Sequence, residues 1–131
     1  MTVRIFTHKH FKANCPDEMI AEIINDFRKY KNGDGQPERF GRDVPFDESK
    51  YTSDAGLMHI HVKDASSKNW HLKKITYHKT SNTALIYCEA SRNPGYFLLI
   101  GFVQEAHQYY RKERQALLAM ADIAEDFRKV Y

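Results

Sequence analysis

Leu57-Met58-His59-Ile60-His61-Val62 alternates apolar and polar residues with a period of two. Met58, Ile60 and Val62 point one way, and His59 and His61 the other, as on a strand with one dry face. Downstream, Asp64 to Asn69 reads as a turn. In the next predicted strand Lys73, Ile75 and Tyr77 share one face, and Leu72, Lys74, Thr76 and His78 share the other. Thr80-Ser81-Asn82-Thr83 makes a hairpin connection into a strand from Ala84 to Glu89. After the turn Ser91-Arg92-Asn93-Pro94-Gly95, the run Tyr96 to Val103 is apolar on both faces, which predicts a central, covered strand. A helix follows over Arg114–Val130, with Leu117, Met120, Ala121, Ala124 and Phe127 as its apolar stripe.

Upstream, residues 35–56 hold Pro37, Gly41, Pro45 and Gly56 among several acids. They read as a long ordered loop with room for a short helical turn. Before it, Pro16-Asp17-Glu18 starts a helix whose Ile20, Ile23, Ile24, Phe27 and Tyr30 recur at helical spacing; Asn32-Gly33-Asp34-Gly35 ends it. Val3, Ile5 and Thr7 alternate in a first strand at about residues 2–8. The expected fold is α+β: an antiparallel β-sheet with helices packed on one face, the other face left for a ligand.

The 131 residues fit one domain, 1–131, large enough to bury a core without staples. The net charge of +3 is unevenly spread. Residues 32–56 carry three basic and six acidic groups, a net of −3; residues 57–92 carry six and two, a net of +4, with four of the seven histidines. A local basic field suits a phosphate-bearing partner, or else a sheet face kept soluble by lysines. The chain opens into a strand-like run and its longest apolar stretch, Tyr96 to Val103, is too short to span a bilayer. The reading is a cytoplasmic protein without a membrane, in which Cys15 and Cys88 stay reduced rather than forming a disulfide.

His59 and His61 share one strand face and could chelate a metal, but no HExxH or carboxylate cluster supplies a third ligand. General acid–base work or phosphate contact fits them better; a solvated sheet face is the plain structural alternative. His78 lies beside Lys79 and near Lys73 and Lys74, where neighbouring cations disfavour its charged form and leave it available as a base. An exposed histidine at a strand end fits equally. His107 follows the central strand, in Glu105-Ala106-His107-Gln108-Tyr109-Tyr110-Arg111. That cluster offers an imidazole, phenols that can stack on bases and a guanidinium for phosphate; otherwise it is a linker packed on the core. Arg42, in Gly41-Arg42-Asp43, either clamps a phosphate or pairs with Asp43 to order the loop. Nucleophile-elbow, P-loop and dinucleotide signatures are absent, and no cofactor is expected.

Three segments together resemble the YafO family of bacterial toxins. They are Tyr30-Lys31-Asn32-Gly33-Asp34-Gly35-Gln36-Pro37-Glu38-Arg39-Phe40-Gly41-Arg42-Asp43; His59-Ile60-His61; and Leu85-Ile86-Tyr87-Cys88 with the following apolar strand, His107 and Ala124-Glu125-Asp126-Phe127-Arg128. Phe40-Gly41-Arg42-Asp43 is the most specific phrase. The resemblance implies a toxin of a toxin–antitoxin pair, neutralised by a YafN-type antitoxin, that cleaves mRNA on the ribosome. It also implies kinship with RelE-like toxins, which share a fold resembling microbial ribonucleases. Such enzymes use no metal: the 2′-hydroxyl attacks the adjacent phosphorus, giving a 2′,3′-cyclic phosphate and a free 5′-hydroxyl. A base, a cationic clamp and an acid are required. On this resemblance Lys74, His78 and His107 occupy places comparable to RelE-like catalytic groups, with His59 and His61 as RNA contacts or catalytic support. An Arg common before the third strand is missing, since Thr83 and Ala84 stand there; Arg42, Arg111 and Arg114 are the substitutes. Expected partners are mRNA on the ribosome, ribosomal RNA and the antitoxin. The competing readings are a metal-dependent hydrolase built on His59 and His61, and a ribosome- or RNA-binding inhibitor that does not cut.

Overall fold

The alternation at Leu57 to Val62 becomes the strand next to one edge of a five-stranded sheet. The computed structural model describes residues 3–46, 49–62, 83–103 and 114–131. Its elements run β1 (Arg4–Thr7), α1 (Lys9–Asn14), α2 (Asp17–Lys31), β2 (Phe40–Pro45), α3 (Lys50–Asp54), β3 (Met58–Val62), β4 (Thr83–Glu89), β5 (Tyr96–Val103) and α4 (Arg114–Val130). The strand order is β1-β5-β4-β3-β2. Pairing is antiparallel from β2 through β5, and β1 joins the far side of β5 in parallel. The α+β class holds, with a mixed sheet.

Both faces are covered, which corrects the expectation of helices on one face. On one side α4 lays Leu117, Met120, Ala121, Ala124 and Phe127 against Ala84, Ile86, Cys88, Leu98 and Ile100. On the other, Phe11 of α1 and Met19, Ile23 and Phe27 of α2 pack on Ile60, Val62, Leu85, Tyr87, Phe97 and Leu99. The physical reason is in β4 and β5 themselves. Both are apolar on both faces, and a sheet dry on two sides needs two covers. The bulge of β5 shows how closely α4 fits. Ile86 pairs with Gly101 and Tyr87 with Leu99, so Ile100 is the extra residue. A Cβ on Gly101 would lie 3.1 Å from Met120 Cε, so glycine lets the helix sit down.

The predicted loop 35–56 contains an edge strand, β2, and the short helix α3, which Ser49 and Thr52 close with a capping box. β2 escapes the alternation rule because it is bulged and carries Gly41 and Pro45, residues found in strands at edges and bulges. Helix α1 is also an addition to the sequence reading; its single buried residue, Phe11, leaves no period to detect. The strand predicted around residues 72–78 lies outside the described residues. No described helix is long and apolar enough to cross a membrane.

Candidate functional site

Strand β3 lies between β2 and β4, with His59 opposite Ile86 and His61 opposite Ala84. Ile86 and Ala84 face α4, so both imidazoles lie on that side of the sheet while Ile60 and Val62 enter the core beneath α2. The two rings are 5.3 Å apart, and His59 also meets Phe46 at 4.9 Å. Both histidines are half-buried. The sheet thus fixes two titratable groups side by side, as the alternation foretold.

Arg42 joins them through an irregularity in β2. Phe40 pairs with Val62 and Asp43 with Ile60, so Gly41 and Arg42 together oppose the single residue His61. This two-against-one bulge sets Arg42 beside His61 in the ladder, and Arg42 is exposed. Arg114 opens α4 on the same side of the sheet. That helix runs against the direction of β5: Met120 covers Gly101, and Phe127 meets Phe6, which registers with Leu98. Its N-terminus therefore points to the end of the sheet where His61, Ala84 and Val103 stand in one row across three strands. His59, His61, Arg42 and Arg114 are thus gathered on one face, the last three at one end. His78, His107, Lys73, Lys74, Lys79, Tyr109 and Arg111 lie outside the described residues. The described residues flanking their two segments (Val62 and Thr83, Val103 and Arg114) belong to that same end of the sheet.

Arg42 and Asp43 do not pair. Asp43 points to the opposite face, where it accepts hydrogen bonds from Tyr30 Oη at 2.8 Å and Tyr87 Oη at 2.8 Å. Lys31 Nζ lies 3.4 Å from the same carboxylate and donates to Tyr87 Oη at 2.9 Å. The ammonium also sits among four rings, those of Phe27, Tyr30, Tyr87 and Phe97, at 5.8, 4.9, 4.8 and 5.2 Å from their centroids. Burial, then the bonded Asp43, pushes the Tyr30 phenol up to about 12; burial and the Asp43 charge push Tyr87 up further. Sequence reasoning missed this network. Its signal was a pair of opposite charges in the first family-resembling segment, Lys31 near its start and Asp43 at the end of Phe40-Gly41-Arg42-Asp43.

The thiols are free and carry no chemistry here. Cys15 lies in the core beneath α2 and Cys88 in the core beneath α4, so the sheet separates them. Burial pushes their thiols up to about 11 and about 12. Among the described residues no group of three His, Cys, Asp or Glu side chains is arranged to hold a metal ion. A surface groove of about 390 Å³ between α3, α4 and the β4–β5 turn is lined by Tyr51, Asp54, Glu125, Arg128 and neighbours, and by none of the predicted site residues.

Comparison with known proteins adds the family. The family described as Toxin YafO, type II toxin-antitoxin system, matches residues 28–129. Neither the curated proteins nor the solved structures give a significant match. The matched stretch takes in β2 to β5 and nearly all of α4, including the bulge, the histidine pair and Asp43. The chain therefore belongs to the YafO family, the toxins of type II toxin–antitoxin systems, which are made with an antitoxin partner.

Proposed function

We propose that this toxin inhibits translation by cutting mRNA on the ribosome without a metal, and that the cleft it uses lies on the α4 face at the β2–β3 end of the sheet. The observation that carries the reading is the alignment of Arg42 with His61 and His59 in a member of a toxin family. Transesterification of RNA needs three things: a base to take the 2′-hydroxyl proton, cations for the charge that builds on the phosphorane, and an acid to protonate the departing 5′-oxygen. The products are a 2′,3′-cyclic phosphate and a 5′-hydroxyl, so atoms and protons balance without a cofactor. Arg42 and Arg114 supply guanidinium groups suited to phosphate. His59 and His61 contact the strand and support the reaction. The base and acid are His78 and His107, with Lys73, Lys74, Lys79, Tyr109 and Arg111 holding the flanking nucleotides.

Charge supports a role for the ribosome. Affinity for free RNA comes mostly from neutralised phosphates, and a net charge of +3 supplies few. Ribosomal RNA and a presented codon complete the site, so naked mRNA is cut poorly. The cognate antitoxin is the YafN-type partner of this family, and the compartment is the cytoplasm.

Primer extension on mRNA after induction tests the reading. New 5′ ends bearing a free hydroxyl are expected in translating ribosomes. Translation arrest with no new ends would replace cleavage by simple ribosome blocking. New ends bearing a 5′-phosphate, the mark of attack by a metal-activated water, would replace it by a metal-dependent hydrolase at His59 and His61.

A further inference from the structure

A bulge is a place where a strand can slip. One residue of slippage exchanges the faces to which neighbouring side chains point. In β2 the two neighbours at stake are a cation and an anion. With both on the α4 face, Asp43 would neutralise the guanidinium of Arg42 beside the histidine pair. The structure prevents this from two sides. The Gln36 side-chain amide donates to the carbonyls of Phe40 and Gly41, at the start of the bulge. At its other end the Asp43 carboxylate is drawn through to the α2 face and taken up by Tyr30, Lys31 and Tyr87. The Asp43 side chain is 12% exposed, and among the described residues Arg42 pairs with no acid.

We propose that Asp43 is a positioning residue for Arg42: anchored by Tyr30, Lys31 and Tyr87, it holds the β2 bulge in the form that sets Arg42 beside His61 with its guanidinium open to an RNA phosphate. This rests on the proposed RNA-cleaving function. It also makes a prediction opposite in sign to plain electrostatics. Removing an acid from a protein that binds RNA should tighten binding; removing this acid should weaken it.

The test measures binding of the full-length chain to an uncleavable 2′-O-methyl oligoribonucleotide across a salt series. Arg42→Ala should weaken binding about tenfold, as expected for one charge-assisted phosphate contact. It should also lower the slope of log affinity against log salt by about 0.7, the value for one phosphate on a single strand. Asp43→Asn should reproduce both losses despite its added net positive charge, and the double variant should be no worse than Arg42→Ala alone. Tyr30→Phe, which leaves the charge unchanged, should show the same salt-slope loss in smaller measure; it serves if Asp43→Asn does not fold. Equal or tighter binding by Asp43→Asn or, where that variant does not fold, an unchanged slope in Tyr30→Phe, with Arg42→Ala still impaired, would overturn the positioning role alone. No loss in Arg42→Ala would overturn the phosphate role of Arg42 and this inference with it.

Discussion

On the α2 face of the sheet, Asp43 gives its carboxylate to two phenols and an ammonium held among four aromatic rings. One residue earlier in the same strand, Arg42 stands exposed on the other side, next to His61. The first arrangement is closed: the charges of Lys31 and Asp43 meet each other within the fold. The second is open, with cationic and titratable groups drawn together at one end and no described acid beside Arg42. Buried polar groups need partners or they destabilise, so the closed face reads as architecture. Groups of like character held together on a rigid sheet and left accessible read as a site.

Substitutions on the two faces should therefore act on different properties, stability for one and RNA handling for the other. The largest effect expected is on stability from the closed face. Phe27 is fully buried against Tyr87 and Phe97 and forms one wall around the Lys31 ammonium. Phe27→Ala should cost about 3–5 kcal/mol in denaturant unfolding. A loss no larger than that from an exposed residue would mean that the α2 face is not a core.

Next in size is an alkaline effect. The Tyr30 phenol ionises near its ordinary 10 when unfolded but at about 12 when folded. The unfolded chain therefore loses this proton first. The stability that Tyr30 contributes is complete below pH 10 and is lost as pH rises to about 12. Unfolding free energy measured at pH 9 and pH 11.5 should fall in the wild type and fall less in Tyr30→Phe. Identical pH dependence in the two would remove the Asp43–Tyr30 bond from the account.

The smallest effect is the control. Lys129 and Glu125 form an exposed i,i+4 pair on α4 at 3.3 Å, away from both clusters. Lys129→Ala should change stability by less than about 0.5 kcal/mol. A larger change would show that surface charge matters here more than the two-face contrast allows.

The parts of this molecule legible in the sequence are those whose signal is local. Helix α4 and β5 have the bounds that their periods imply, and the buried stripe of α4 consists of the five residues its spacing picks out. The facing of His59 and His61 also follows from alternation alone. What stayed hidden depends on partners distant along the chain. β2 has neither alternation nor branched residues throughout, and its existence rests on pairing with β3. The second cover was implied by the two-sided apolarity of β5, yet its assignment to α1 and α2 needs the topology. In the site, Arg42 gains its place from a register shift. Asp43 finds Tyr87 44 positions downstream, a contact no local pattern encodes.

The claim that RNA is handled at the Arg42–His61 end of the α4 face is tested most directly by one rate. Cleavage of mRNA in translating ribosomes should be compared between the wild type and a His59→Ala/His61→Ala double variant, with thermal unfolding recorded for both. The account predicts a fall of at least about a hundredfold in rate, on the scale of lost acid–base support, while the variant still unfolds cooperatively above the assay temperature. Undiminished cutting by a folded double variant would contradict it.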